Sequence, residues 1–227
     1  MEIHRLMTTA LFRGIPEKRI QELMCGTPHS IRSYGKGETI FHLMERAQTV
    51  GLILEGHVAG QKAFPNGSQV NVSIRGPGSL IGLAAAFAEH PVYPCSVVAL
   101  EKVQVILFQR EDLLSLLQRE PLLLERCMRE MATAASSLQQ RLELFSYSGI
   151  AQKIAFWLLS EARSTGTSNI RVPETVTQWA LQMHVSRPSL HRELRRLEQD
   201  GILQLDLPWI EIRCEEGLQA VLSRERT

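Results

Sequence analysis

The chain has 227 residues, 44% hydrophobic and 22% charged, with 25 Lys and Arg against 24 Asp and Glu. These proportions suit one large or two small globular domains, each able to bury a core. A net charge of +1 excludes a polycation, so any affinity for nucleic acid must be local.

Cys25, Cys95, Cys127 and Cys214 are far apart and form no CxxC pair, which argues against a clustered zinc site and a disulfide scaffold. No apolar run reaches the roughly 18 residues of a membrane span. The first residues lack the apolar core of a signal peptide, so a cytoplasmic setting and no membrane partner are expected.

Residues 1–26 read as helical, with Pro16 able to start a helix and Ile20, Leu23 and Met24 on one face. From about 28 to 108, short β-prone runs alternate with Gly and Pro: HSIRSY, ETIFHL, TVGLILEGHVAGQKAF, SQVNVSIR and CSVVALEKVQVILFQ. Pro65-Asn66-Gly67 is a hairpin signal. Many short strands predict a barrel or sandwich, interrupted by LIGLAAAFAEH as a short apolar helix. EDLLSLLQREP is a further helix, and Pro121 begins a much longer one.

In that long helix Leu124, Met131, Leu138 and Phe145 are seven apart, and Met128, Ala135 and Leu142 interleave with them. Steps of four and three are a coiled-coil seam, which predicts pairing with a second copy of the chain. Leu122, Leu123 and Leu144 lie off the seam and are expected to cover the β domain. Gly149 marks a hinge, followed by the helix IAQKIAFWLLSEA and a polar loop over 163–169.

Residues 175–203, TVTQWALQMHVSRPSLHRELRRLEQDGIL, read as two helices around a tight turn at His184-Val185. Thr175 and Gln178 form a capping box, Ser186 caps the second helix, and Pro188 sits in its first turn. Leu190, Leu194 and Leu197 face inward, while Pro188, Arg192, Arg195 and Gln199 fall opposite, flanked by Arg187, His191 and Arg196. Residues 186–196 hold four Arg against one Glu, so the local charge that DNA requires is present. A second helix exposing arginines from its first turn suits a helix-turn-helix reader of the major groove. LQLDLPWIEIR then alternates as a two-stranded wing around Pro208-Trp209, and EEGLQAVLSRER closes the chain as an amphipathic helix.

This order resembles the Crp/Fnr family of bacterial transcription regulators. The resemblance is carried by LILEGHVAGQKAFPNGSQVNVSIRGPGSLIG, with Gly78 and Gly82, and by VSRPSLHRELRRLEQDGIL. It implies an α+β chain with a cyclic-nucleotide-binding-like β-roll over 1–120, a dimerisation helix over 121–148 and a winged helix-turn-helix over 149–227. It implies a homodimer on a pseudo-palindromic double-stranded DNA operator, with RNA polymerase as a candidate contact and a small-molecule effector in the roll.

By the same resemblance Arg187 and Arg192 stand where base-reading or phosphate-holding arginines occur, and Ser189 where a phosphate-contacting hydroxyl is common. Pro188 replaces a glutamate that accepts from cytosine, so the best-known binding sequence does not carry over. His191 replaces a base-contacting Ser, and His184 a turn Gly, which asks for a positive φ there. Ser186, Arg195 and Arg196 complete the candidate DNA face.

The effector-pocket candidates are Gly82, Leu83, Ala84, Tyr93, Cys95, Leu138 and Gln139. Cyclic-nucleotide-binding members carry a Glu where Leu83 stands and an Arg-Ser pair near 93–95, so cyclic AMP is not the expected effector. The cofactor is left unassigned. The N-terminal cysteine cluster of the iron–sulfur branch is absent. Alternatives are a haem sensor using His42, His57 or His90, redox chemistry at Cys95 or Cys127, and an effector-independent regulator with a vestigial pocket.

Overall fold

The computed structural model describes residues 2–63, 69–172 and 175–223. The chain divides between Thr133 and Ala134 into two compact units.

The first unit opens with α1 (Glu2–Thr8) and α2 (Glu17–Cys25). Pro16 precedes α2, and the helix buries Ile20, Leu23 and Met24 as their spacing predicts. The strands are β1 (Ser30–Tyr34), β2 (Thr39–Phe41), β3 (Thr49–Glu55), β4 (Val58–Ala63), β5 (Gln69–Arg75), β6 (Leu80–Ile81), β7 (Ser96–Ala99) and β8 (Val103–Gln109), with α3 (Leu83–Ala86) between β6 and β7. They form two four-stranded antiparallel sheets, ordered β1-β8-β3-β6 and β2-β7-β4-β5.

Two expectations are refined here. Residues 49–63 form two strands in different sheets, because Gly56 (φ +79°) turns the chain where a Cβ would collide with the Lys102 carbonyl. The Pro65-Asn66-Gly67 turn lies outside the described residues, and β4 and β5 on either side of it pair antiparallel. The apolar helix shrinks to the single turn of α3, since Gly82 only releases the chain into it and Pro91 follows five residues on.

α4 (Arg110–Arg119) and the first turns of α5 (Pro121–Ser146) cover the sheets with Leu113, Leu116, Leu117, Leu123 and Cys127. Arg126 fixes α5 to the N-terminal segment by donating to the Leu11 and Arg13 carbonyls, each at 2.6 Å.

The second unit holds the end of α5, then α6 (Ile150–Thr165), β9 (Asn169–Arg171), α7 (Val176–Gln182), α8 (Arg187–Gln199), β10 (Leu203–Asp206), β11 (Trp209–Ile212) and α9 (Glu215–Leu222). Its core gathers Leu144, Ile154, Leu158, Trp179, Leu190, Leu194, Leu197 and Ile210. The wing has three strands, ordered β10-β11-β9, where two were predicted. The expected polar loop is shorter because α6 runs to Thr165 and Asn169 already pairs with Glu211. Trp209 belongs to β11, so the wing turns at Leu207-Pro208.

Among the described residues no helix is long and apolar enough to cross a membrane. None of them forms a group of three or more His, Cys, Asp or Glu placed to hold a metal ion.

Candidate nucleic-acid interface

The two-helix unit forms for the local reasons its sequence contains. Thr175 Oγ1 accepts from Gln178 N at 3.1 Å and starts α7. Met183 ends that helix, and His184 takes the left-handed conformation (φ +53°). A histidine there costs more than the glycine the resemblance anticipates, and the surrounding hydrogen bonds hold it. His184 N donates to Leu181 O at 3.1 Å and Val185 N to Ala180 O at 3.0 Å. Ser186 Oγ then accepts from Ser189 N at 3.2 Å and starts α8, with Pro188 in its first turn.

α8 buries Leu190, Leu194 and Leu197 and leaves Arg187, Pro188, His191, Arg192, Arg195 and Arg196 exposed; Ser189 is half-buried against Ser186. The structure therefore brings all eight candidate DNA residues to one helix and its cap. It also separates the arginines into two kinds. Arg195 Nη1 pairs with Glu198 Oε2 at 2.7 Å, and Arg196 Nη2 with Glu193 Oε2 at 3.2 Å. Among the described residues Arg187 and Arg192 have no such partner. An unpaired guanidinium needs no local bond broken before it meets a guanine edge or a phosphate.

The seam residues Leu124, Met128, Met131, Ala135, Leu138, Leu142 and Phe145 are all exposed in the single chain, Leu138 at 60% and Leu142 at 62%. Off the seam, Leu123 is buried in the core of the first unit as expected, whereas Leu144 is buried in the core of the second unit and not in that of the β domain. Phe145 has a further contact: its ring meets the His184 ring edge-on, centroids 4.9 Å apart at 72°.

The pocket candidates of the first unit differ in burial. Leu83 and Tyr93 are buried in the core of the first unit, Cys95 is half-buried and Ala84 exposed. Tyr93 stacks on Phe41 with centroids 4.4 Å apart, donates its hydroxyl to Thr49 O at 2.7 Å, and accepts from Thr49 N at 3.3 Å. Its burial pushes the phenol up. Gly82 (φ +79°) passes so close that a Cβ would lie 3.0 Å from the Tyr93 ring and 3.1 Å from Phe41. Leu138 and Gln139 belong to the second unit and are exposed.

His42, His57 and His90 are exposed, and His57 Nδ1 lies 2.6 Å from Glu101. Burial pushes the Cys127 thiol up to about 12, with Glu130 adding to the effect, so it stays protonated at neutral pH. Burial also raises Cys95, against a smaller opposing pull from Lys62.

Several contributors escape sequence reasoning. Glu198 Oε1 accepts from Leu205 N at 3.0 Å, clasping α8 to the wing. Lys153 Nζ donates to Met183 O at 3.1 Å, neutralising the carbonyl end of α7. Leu207 and Trp209 are exposed at the wing tip, with Arg171 in register opposite Trp209. The contacts across 30 and more residues leave no periodic trace. The exposed Trp209 in an alternating strand was the one visible signal.

Comparison with known proteins agrees with this geometry. Residues 31–120 match the model of the cyclic nucleotide-binding domain, and residues 152–221 that of the Crp-like helix-turn-helix domain. The chain is 25% identical over 182 residues to the Cyclic AMP receptor protein of Thermus thermophilus, covering 80% of this chain and 83% of the relative. It is 24% identical over 190 residues to the HTH-type transcriptional regulator Cmr of Mycobacterium tuberculosis, covering 84% and 75%. The crystal structure of the Thermus thermophilus Catabolite Activator Protein superposes with a TM-score of 0.54 at 23% identity, covering 93% of this chain and 97% of that one, a likeness of fold. With a β-roll, a long helix and a DNA-binding helix-turn-helix in this order, the chain belongs to the Crp/Fnr family of transcription regulators.

Proposed function

We propose that the chain regulates transcription in the cytoplasm as a homodimer on a pseudo-palindromic operator, with a β-roll sensor over 1–120, a dimerisation helix over 121–148 and a DNA reader over 149–227. α8 of each protomer reads one half-site, and half-sites lie about one helical turn apart. Arg187 and Arg192 read bases, while Ser186, Ser189, Arg195 and Arg196 hold phosphates around Pro188 and His191. The observation that carries this reading is the pair of exposed arginines, Arg187 and Arg192, without ion-pair partners among the described residues, on a helix whose other arginines are paired. The exposed seam of α5 supports pairing with a second copy, since a two-stranded coil covers such a stripe.

The roll answers to an effector other than a cyclic nucleotide. Leu83 is buried where a ribose-binding acid would stand, and the Tyr93 hydroxyl is committed to Thr49. A cyclic phosphate placed there would lose water without gaining a counter-charge.

Selection of duplexes from a randomised library, followed by gel-shift titration and sedimentation, tests the reading. Wild-type protein recovers an inverted repeat and sediments as a dimer, Leu138→Glu sediments as a monomer, and calorimetric titration with cyclic AMP gives no heat. Recovery of direct or unrelated sequences, or dimers unaffected by Leu138→Glu, would overturn the symmetric part. Saturable cyclic AMP binding would overturn the effector part.

A further inference from the structure

We infer that Phe145 and His184 are positioning residues for DNA reading: through their ring contact, the pairing of α5 sets the placement of α8. The inference rests on the reading proposed above and adds the route by which one end of it reaches the other.

Phe145 has two relationships at once. It continues the seven-residue series of Leu124, Met131 and Leu138, so it faces where a second copy pairs. Its ring also sits edge-on to His184, with centroids 4.9 Å apart, in the geometry aromatic quadrupoles prefer. Phe145 is 48% exposed, so the His184 contact leaves part of the residue available to a second copy. Its neighbour Leu144 is buried in the core of the reader, so the last turn of α5 is built into that unit.

His184 supplies the left-handed residue of the turn between α7 and α8, and its backbone is held between Leu181 O on one side and the Val185–Ala180 bond on the other. Two residues later Ser186 caps α8. Lys153 on α6 holds the adjoining Met183 carbonyl, which fixes the other side of the same turn. A displacement of the Phe145 ring is thus delivered to a turn with little slack. That turn sets where α8 begins, and α8 presents Arg187 in its first turn and Arg192 in its second.

Two substitutions separate this role from a seam role. Phe145→Leu keeps an apolar seam residue and removes the aromatic edge. His184→Gly removes the ring without touching α5 and relieves the left-handed backbone. Each variant is titrated against a duplex that wild-type protein selects from a randomised library, and against a scrambled duplex. Dimer dissociation is measured by sedimentation, and the His184 imidazole proton shift by NMR without DNA, above and below the dimer dissociation constant.

Both variants lose about threefold to tenfold in affinity for the selected duplex, the range such an aromatic pair supplies. Binding to the scrambled duplex does not change, and all titrations are compared at concentrations where sedimentation shows each variant to be dimeric, so that any change in the dimer constant is set aside. Phe145→Tyr binds as wild type, and the double variant loses no more than either single one. In wild type the imidazole shift moves on dilution to monomer, and in Phe145→Leu it does not. Wild-type affinity in both single variants, additive losses in the double one, or a wild-type shift indifferent to dilution overturns the inference. Full-strength binding by Arg192→Ala beside weakened Phe145→Leu and His184→Gly would sink the assigned reading face and leave the positioning pair standing. If no duplex is selected, the dilution shift alone decides.

Discussion

Arg195 Nη1 lies 2.7 Å from Glu198 Oε2 on the exposed side of α8, a pairing that sets Arg195 apart from Arg192 in the proposed reading. Arg192, without such a partner among the described residues, is expected to carry sequence readout. Arg192→Ala lowers affinity for the selected operator by about 1–3 kcal/mol and relaxes preference at one base pair. Arg195→Ala weakens selected and scrambled duplexes alike and flattens the salt dependence. Gel-shift titration across ionic strength checks both. Equal behaviour of the two variants would contradict the division.

Glu198 is held below the ordinary carboxylate range, first by the Leu205 N–H it accepts and then by Arg195. A carboxyl depressed in the folded state binds fewer protons there than in the unfolded chain. It therefore adds stability above its unfolded pKa, and that contribution is lost as pH falls through the folded value. Glu198→Gln removes the charge and with it this pH dependence. The melting-temperature gap between wild type and Glu198→Gln should be open at neutral pH and close as pH falls below the ordinary Glu value. A gap independent of pH, measured by scanning calorimetry, would assign the clasp to geometry alone.

The Cys127 thiol, pushed up to about 12, should resist alkylation in the native protein at about pH 8, while exposed Cys25 reacts first. Because the folded pKa is raised, the contribution is fully present below the ordinary thiol value and disappears as pH rises from there toward 12. Mass-resolved iodoacetamide labelling, native against urea-unfolded, gives the order. Native labelling of Cys127 at the rate of Cys25 would return redox chemistry to consideration.

Tyr93→Phe leaves the stack on Phe41 and deletes the hydroxyl that serves both Thr49 O and Thr49 N. The loss should be about 1 kcal/mol of stability by urea titration, with operator affinity intact. A larger effect on DNA than on stability would make this hydroxyl part of signalling.

What the sequence made legible was local or periodic. The Thr175 and Ser186 caps, the leucine face of α8 and the apolar stripe of α5 are each written within a few residues, and the structure has both caps, buries the leucine face and leaves the stripe exposed. β9 was invisible because Asn169-Ile170-Arg171 offers one apolar residue and no alternation to count. The strands β3 and β4 read as one run because sheet membership is decided by distant partners, β8 for one and β7 for the other. Of the candidate site, the exposed arginine side of α8 was legible, while the Glu198–Leu205 clasp and the Phe145–His184 contact were not. Polar and aromatic pairs joined through tertiary folding obey no spacing rule.

Every residue from 131 to 143 is exposed in the single chain, so the middle of α5 leans on neither core. Isolated helices of fewer than about 12–15 residues are marginal in water. If a second copy pairs along this segment as proposed, that pairing supplies the packing the segment lacks in the single chain, and the helix there should gain order as the protein concentration rises.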